Sequence, residues 1–571
     1  MPIISPIRRS ILLTLSLLSG CAAAQVAGSS QPADQTAPHV AVTGAPGDYL
    51  GGRFAASQGQ IGLASKLFLK GLARDPGNPD MQQQAFLASL LADRPEAVTL
   101  ARQMQGNITA QLLLGDVDAQ AGRWSSAENR FSALSRLGPV TLLQPLLIAW
   151  AQQGGGRTDA ALATLKPFVD GQRFRGGYAL HAALIADLAG RGSDAARLYK
   201  IAQTDSGGLS LEVARMIASW DARNGRLPEA EKTFATLQDN SSDIAVAVPA
   251  LYLAAGQRPV RNATDGMAEA YLALAGALRS QDNNDLSLVM LRLALDLRPD
   301  LTVARLLSSD ILDGAKHPRQ ALAILKPVES NDPLVSVARL RQAALSDRLG
   351  QPDAALRLLD DVAAKSPDRP EPLAMRGDIL RAQKRYAEAV TAYDGAIAKV
   401  AHPDRSSWPL FYERGIALER SQNWARAEAD FKHALLLSPD EPFVLNYLGY
   451  SWTEQGKNLT QARQMIQRAV EQRPNDGEIV DSLGWITLRQ GDVSQAVKIL
   501  QRATELQPAD ATVNLHLGDA YWAAGRKLEA QFQWRRSLGL GPEPEDVPKL
   551  KAKLRESELA LGNLPPPQAT P

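Results

Sequence analysis

The residues able to do chemistry are few and scattered along this 571-residue chain. Its six histidines stand singly, and none pairs at the four-residue spacing, with a glutamate beside it, that a zinc hydrolase helix needs. There is no G-x-S-x-G or Walker A motif, and the glycine run at 154–156 lacks the spacing of a dinucleotide-binding loop. The sequence therefore predicts no enzyme, no cofactor, no metal site and no small-molecule substrate.

The single cysteine, Cys21, follows a basic pair and a short apolar stretch over residues 10–18. That stretch is too short to remain as a membrane-spanning helix. The letters LSGC at 18–21 resemble the lipobox of bacterial lipoproteins. The resemblance implies cleavage between Gly20 and Cys21 and a diacylglyceryl group on the thiol. Two or three long acyl chains would hold such a protein stably at a membrane.

The resemblance also bears on location. Ala22 stands where an aspartate would favour retention at the inner membrane, so outer-membrane anchoring with a periplasmic body is expected. An exported chain with one cysteine forms no internal disulfide. The 62 basic and 61 acidic residues nearly cancel, which gives no charge excess for nucleic acid. The expected partners are proteins or peptides of the cell envelope, together with a membrane reached through the N-terminal lipid.

Beyond residue 46 the sequence repeats itself. Eight prolines recur every 34 to 36 residues: Pro299, Pro333, Pro367, Pro403, Pro439, Pro474, Pro508 and Pro542. Small residues keep the same register, as in Gly484, Ala496, Leu500 and Ala503 before Pro508. A small residue lets two helices approach closely, a larger one fills the space beside it, and the proline ends the second helix.

This pattern resembles the tetratricopeptide repeat, two antiparallel helices in about 34 residues. It predicts an all-α fold, an α-solenoid (superhelix) of about fourteen helix-turn-helix repeats. The expected organisation is a signal peptide (1–20), a lipidated flexible tether (21–46), a degenerate array (47–243), an irregular connector (244–267), a regular array (268–543), a capping helix (544–561) and a proline-rich tail (562–571). A cut at the connector should leave a folded C-terminal half.

The resemblance also implies where partners bind. In each first helix, residues three before, one after and four after the small residue share a face, which in this family lines the concave groove. Together with residues one turn earlier, this selects a set of aromatic and polar side chains: Phe443, Asn446, Tyr450, Glu478, Asp481, Trp485, Asp519 and Trp522. Exposed aromatics beside Asn and Asp are typical of a binding surface. The alternative is that these residues pack against the capping helix or a neighbouring repeat.

The amino-acid sequence of residues 446–538 is similar to that of the C-terminal repeats of Gram-negative, especially alphaproteobacterial, repeat lipoproteins. That similarity implies an envelope scaffold or adaptor. A structural accessory lipoprotein of a polysaccharide or pilus secretion machine stays open as the alternative. A repeat-bearing enzyme would need a separate catalytic domain, and the repeats leave no stretch for one.

Overall fold

A computed structural model describes residues 44–562, apart from gaps at 136–137, 173, 206–209 and 241. Over those residues the regular elements are helices, and no strand is found. The chain divides into two compact units, residues 1–367 (unit 1) and 368–571 (unit 2). The predicted signal peptide, its cleavage position after Gly20 and the lipid-attachment residue Cys21 lie outside the described residues.

Unit 1 contains twenty of the helices in the described part of the chain. They are α1 (Ala45–Ser57), α2 (Ile61–Arg74), α3 (Pro79–Leu91), α4 (Glu96–Gln103), α5 (Ile108–Gln120), α6 (Trp124–Ser132), α7 (Val140–Gly154), α8 (Thr158–Asp170), α9 (Arg175–Leu188), α10 (Gly192–Asp205), α11 (Leu211–Arg223), α12 (Leu227–Asn240), α13 (Ser242–Ala245), α14 (Val248–Ala254), α15 (Ala263–Arg279), α16 (Asn284–Leu297), α17 (Thr302–Gly314), α18 (Pro318–Leu325), α19 (Val335–Arg348) and α20 (Pro352–Lys365).

Unit 2 contains eleven more helices within its described residues, and a 3₁₀ turn at Arg405–Ser407 precedes the third of them. They are α21 (Glu371–Ala382), α22 (Tyr386–Ile397), α23 (Trp408–Arg420), α24 (Trp424–Leu437), α25 (Pro442–Glu454), α26 (Leu459–Gln472), α27 (Gly477–Arg489), α28 (Val493–Leu506), α29 (Ala511–Ala523), α30 (Lys527–Gly539) and α31 (Val547–Gly562).

Consecutive helices pack as pairs. In unit 1 the pairs run from α1/α2 to α11/α12 and resume from α15/α16 to α19/α20, whereas unit 2 is built of α21/α22 to α29/α30. These are nine and five pairs among the described residues, fourteen together. The predicted all-α solenoid of about fourteen repeats is confirmed.

The repeated residues act as the sequence predicts. A Cβ placed on Gly484 would lie 2.5 Å from Leu500 of the paired helix, so only glycine permits this approach. Gly415 and Gly518 stand in the same relation to Phe431 and Trp534, at 2.6 and 2.5 Å. In these three pairs the small residue and the large residue sixteen positions later therefore form one contact that closes the pair.

The junctions between pairs also follow from local chemistry. Pro474 cannot continue the preceding helix, and Asp476 then begins α27 by accepting a hydrogen bond from the backbone N–H of Ile479. Asp510 does the same for α29 after Pro508, with Val513 as donor. Proline followed by an acidic cap thus ends one repeat and starts the next.

The irregular stretch at 244–267 lies inside unit 1 and not at the boundary between the two compact units. It carries α13 and α14 and leads into α15, which lies against α5, α7 and α9. The Tyr271 hydroxyl donates to Asp116 Oδ1 at 3.0 Å, and a Cβ on Gly266 would lie 2.3 Å from Trp150. The repeat register breaks here because the chain returns to earlier helices of its own unit.

The last helix, α31, packs on α30. Leu550 is fully buried in a cluster with Leu517, Tyr521 and Trp534, while Leu554 is half-buried beside them. The lysine side of the helix is used as well, since Lys553 Nζ lies 2.6 Å from both oxygens of Asp519. This helix covers the apolar side that the fifth pair would otherwise expose.

Candidate partner-binding face

The first helices of the five pairs of unit 2 are α21, α23, α25, α27 and α29, and the predicted binding residues lie on the last three of them. Neighbouring first helices contact one another directly, as α25 does with α27 and α27 with α29. Their side chains form one continuous surface, which we call the inner face of unit 2. The residues predicted from the sequence fall into three groups on it.

The first group converges on a histidine. The indole of Trp485 stacks on the imidazole of His516, with ring centroids 4.1 Å apart, and Tyr450 lies on another side at 6.2 Å. His516 Nδ1 lies 2.7 Å from Asp481 Oδ2. Trp485 also donates its Nε1–H to Glu454 Oε1 at 2.6 Å. The structure therefore brings Tyr450, Asp481 and Trp485 together around one buried ring.

The charge of this ring follows from its neighbours. Burial disfavours the imidazolium, but the carboxylates of Asp481, Asp519 and Glu454 outweigh that effect and raise the pKa of His516. A protonated ring donates from Nδ1 to Asp481 and presents a cation to the face of Trp485. Asp481 Oδ1 is buried and has no hydrogen-bond partner among the described residues.

Sequence reasoning had treated His516 as an isolated histidine. The overlooked signal is its position two residues before Gly518. That position faces the preceding first helix, since Tyr447, two before Gly449, meets Tyr412 edge-on at 5.9 Å. Glu413, two before Gly415, lies 2.8 Å from Arg381 Nη2 in the same way. Counting this position would have added His516 and Tyr447 to the inner face.

The second group stays open to solvent. Phe443 is half-buried beneath the guanidinium of Arg473, which lies 4.6 Å from the ring centre. Glu478 is exposed and accepts a hydrogen bond from Gln507 Nε2 at 3.0 Å. Asn446 is half-buried, and its Oδ1 is itself buried without a hydrogen-bond partner among the described residues. Phe443 and Glu478 are therefore the accessible part of this group.

The third group belongs to the end of the array. Asp519 accepts a hydrogen bond from Trp534 Nε1 at 2.8 Å and is held by Lys553 of the last helix. Trp522 lies 5.4 Å from Trp534 and packs against the cluster around Leu550. For Asp519 and Trp522 the structure thus shows the packing arrangement that the sequence left open as the alternative.

Unit 1 offers no comparable open surface on the helices facing α15. Its first helices α5, α7 and α9 are in contact with α15, and α3 and α5 with α16. Of the seventeen residues of α15, twelve are buried. Polar groups also pair within this contact, since Gln120 Nε2 donates to the backbone oxygen of Asp296 at 2.8 Å. The unit fills this surface with its own helices.

Two searches over the described residues bear on other chemistry. They contain no group of three or more His, Cys, Asp or Glu side chains placed to hold a metal ion. None of their helices has both the length and the apolar character needed to cross a membrane.

Comparison with known proteins agrees with the helix pairs. Residues 301–407 match the family described as Tetratricopeptide repeat-like domain, and residues 412–477 and 482–540 match the Tetratricopeptide repeat family. A TPR repeat-containing protein of Pseudomonas aeruginosa is 29% identical over 160 residues, 28% of this chain and 26% of that protein. Tetratricopeptide repeat protein 13 of Homo sapiens is 31% identical over 130 residues, 23% of this chain and 14% of its own length.

The chain thus spans about a quarter or less of the length of these relatives. Among solved structures, the APC/C hetero-tetramer Cut9-Hcn1 is 16% identical with a TM-score of 0.37, covering 89% of this chain and 96% of that one. Pseudomonas aeruginosa pilF is 17% identical with a TM-score of 0.31, covering 45% and 97%. The matched models show tetratricopeptide repeats within residues 301–540, and the other helix pairs have the same two-helix organisation. Tetratricopeptide repeats are typical of non-catalytic scaffolds for protein interactions.

Proposed function

We propose that this protein is a membrane-anchored scaffold or adaptor of the bacterial cell envelope, and that protein or peptide partners bind to the inner face of unit 2. The observation that carries the proposal is the difference between the two units. In unit 1, helices α15 and α16 cover the first helices α3, α5, α7 and α9, whereas within unit 2 Phe443 is half-buried and Glu478 is exposed on the inner face.

The inner face has the chemistry of a protein-binding surface. Phe443, Tyr450 and Trp485 are half-buried aromatics, held in place by Arg473, His516 and Glu454. Aromatic side chains that are already ordered lose little conformational freedom when a partner covers them. Exposed Glu478 and the polar edges around it supply hydrogen-bond acceptors for an extended segment.

Site-specific photocrosslinking tests this placement. A photoreactive amino acid at Phe443 or at Glu478 should crosslink partner proteins in intact cells. The matched control is Leu436 on the second helix α24, which is apolar and 77% exposed. Adducts at Phe443 and Glu478 with none at Leu436 support the inner face. Equal adducts at all three positions, or adducts at Leu436 alone, would contradict it.

The anchoring part of the proposal rests on the LSGC sequence at 18–21. Labelled palmitate should be incorporated into the wild-type chain and should be lost in Cys21→Ser. The variant should appear in the soluble periplasmic fraction or as uncleaved precursor. Palmitate label retained by Cys21→Ser, or wild-type protein absent from the membrane fraction, would remove the anchor and leave the binding proposal standing.

A further inference from the structure

Between α30 and α31 lies a short acidic segment, residues 541–546, which we call the strap. Its sequence GPEPED contains two prolines and three carboxylates, and no helix forms within it. Pro542 and Pro544 restrict the backbone to extended or turn conformations. The strap is therefore an acidic, proline-containing segment at the end of the fifth helix pair, and it closes in a turn at 544–546, where the Asp546 N–H donates to the Glu543 carbonyl oxygen at 2.9 Å.

The strap reaches the beginning of its own unit. Glu543 Oε2 lies 2.9 Å from Lys384 Nζ, although the two residues are 159 positions apart in the chain. Glu545 Oε1 lies 3.7 Å from Arg420 Nη1. Lys384 stands in the turn after α21, and Arg420 is the last residue of α23. The carboxylates thus lie on the basic ends of the first helices of the first two pairs.

The same segment runs on towards the aromatic part of the inner face. Burial raises the pKa of the Tyr450 hydroxyl, and the negative charges of nearby carboxylates raise it further. Asp546 is one of those carboxylates. Lys549 of α31 forms an ion pair with Asp546, which raises the pKa of Lys549. The charge of Glu454, at the end of α25, raises the same pKa further. The strap therefore follows the edge of the inner face at which α21, α23 and α25 end.

These ion pairs are open to water. The side chains of Lys384 and Glu543 are 62% and 51% exposed, and those of Arg420 and Glu545 are 44% and 70% exposed. Exposed pairs hold weakly and are screened by salt. A segment held in this way is seated on a complementary surface, and a competitor can still replace it.

We propose that Lys384 and Arg420 form a docking site for an acidic, proline-containing segment of a protein partner, and that the strap occupies this site in the free protein. The inference rests on the proposed function and narrows the class of partner. Because the strap is attached to the same chain, it competes at a high effective concentration, so partner binding requires its displacement. The strap thereby lowers the affinity of the Lys384/Arg420 site for partner segments that carry few acidic residues.

The test uses a fluorescein-labelled peptide with the sequence of residues 539–547, GLGPEPEDV, and the purified full-length chain. Fluorescence anisotropy measures its affinity for the wild type and for the Glu543→Gln/Glu545→Gln variant. The variant should bind the peptide more tightly by on the order of tenfold, because the peptide no longer has to displace the two exposed ion pairs of the strap. Added salt should weaken the binding, since the contacts are charged.

Two controls make the outcome specific. Glu471→Gln/Glu505→Gln removes two exposed carboxylates elsewhere in unit 2 and should bind the peptide as the wild type does. Adding Lys384→Glu and Arg420→Glu to the strap variant should abolish binding, as should replacing the peptide's glutamates by glutamine. Circular-dichroism melts should coincide for all variants, because every substituted side chain is at least 44% exposed or in the exposed class.

Equal peptide affinity in the wild type and the strap variant would overturn the proposal. Binding that survives Lys384→Glu/Arg420→Glu would overturn it too, because the basic edge would then not be the site. Crosslinks at Phe443 that persist in either case would leave the inner face as the partner site and remove only the acidic docking edge. Loss of the Phe443 crosslinks together with intact peptide binding would instead count against the wider inner-face proposal.

Discussion

Trp485 and His516 stack face to face, with an angle of 14° between their ring planes and 4.1 Å between their centroids. The indole belongs to α27 and the imidazole to α29, so the contact joins the fourth and fifth helix pairs of unit 2. Trp485 therefore does more than present an aromatic surface to a partner. It supports the neighbouring repeat, and the free energy of unfolding should register its loss.

We expect Trp485→Ala to lower the free energy of unfolding by about 1–3 kcal/mol. That is less than for a fully buried tryptophan, because the ring is half-buried. Phe532→Ala is the control, since Phe532 is 63% exposed and its removal should change stability by no more than about 0.5 kcal/mol. Urea denaturation measures both. If both variants changed the free energy of unfolding equally, Trp485 would contribute no more to stability than an exposed side chain.

The Asp481–His516 pair predicts a pH dependence. The pKa of His516 lies above its ordinary value of 6.5. The charged ring therefore stabilises the fold fully below that value, and this contribution is lost as pH rises through the folded-state pKa. Asp481→Asn removes the partner charge, so its stability deficit should be largest near pH 6 and should shrink by about pH 8.5.

Chemical denaturation at a series of pH values tests this expectation. The stability of Asp481→Asn is compared with that of the wild type at each pH. His181 also titrates, but burial lowers its pKa to about 4, so it lies below the window used. A deficit for Asp481→Asn that is constant from pH 6 to about pH 8.5 would mean that the pair acts only as a neutral hydrogen bond.

The close approach at Gly484 predicts opposite effects for two glycine replacements. Gly484→Ala places a Cβ 2.5 Å from Leu500 and should cost about 1–3 kcal/mol by overpacking. Gly276→Ala in α15 meets no heavy atom within 4 Å, and the position is exposed, so it should gain about 0.5–1 kcal/mol. Thermal melts measure the expected loss of stability in Gly484→Ala and the expected gain in Gly276→Ala. A stabilising Gly484→Ala would show that the helix pair opens easily.

The last helix should depend on one leucine. Leu550→Ala deletes a fully buried side chain and should cost about 2–5 kcal/mol, with loss of protection in α31 measured by hydrogen exchange. Leu559 on the same helix is 73% exposed, and Leu559→Ala should leave stability almost unchanged. If Leu550→Ala left exchange in α31 unaltered, the helix would be held by polar contacts such as Lys553–Asp519.

The fold could be predicted from the sequence because its signals are local and repeated. The Gly484–Leu500 contact lies within one repeat, and the Pro474–Asp476 junction spans only the few residues between two successive repeats, so both signals recur along the sequence. The stack of Trp485 on His516 was not predicted, because it depends on how two repeats are rotated against each other. The sequence places residues on helix faces, whereas packing decides which faces meet.

The same reason explains unit 1. Tyr271 and Asp116 meet across 155 positions, and no repeat spacing predicts that contact. A break in register at 244–267 looks like a domain boundary when only the pattern is read. Here it marks the place where the chain turns back to bury α15 against α5, α7 and α9.

This difference yields a prediction about fragments. A fragment of residues 368–571 keeps all five helix pairs of unit 2 and α31. We expect it to be monomeric, helical by circular dichroism and cooperative in its melt. A fragment of residues 268–571 begins inside α15 and lacks α3, α5, α7 and α9. The buried side chains of α15 and α16, Tyr271 and Leu293 among them, would then face water.

We expect the longer fragment to bind a hydrophobic dye, to self-associate and to be cut by protease within 268–367, while the part from residue 368 onwards survives. The comparison is informative because the longer fragment contains the whole of the shorter one. Dye binding, self-association or cleavage seen only in the longer fragment must therefore come from the uncovered helices of unit 1. A monomeric, dye-free and protease-resistant 268–571 fragment would instead show that the stretch at 244–267 separates two independent arrays, as the repeat register alone predicts.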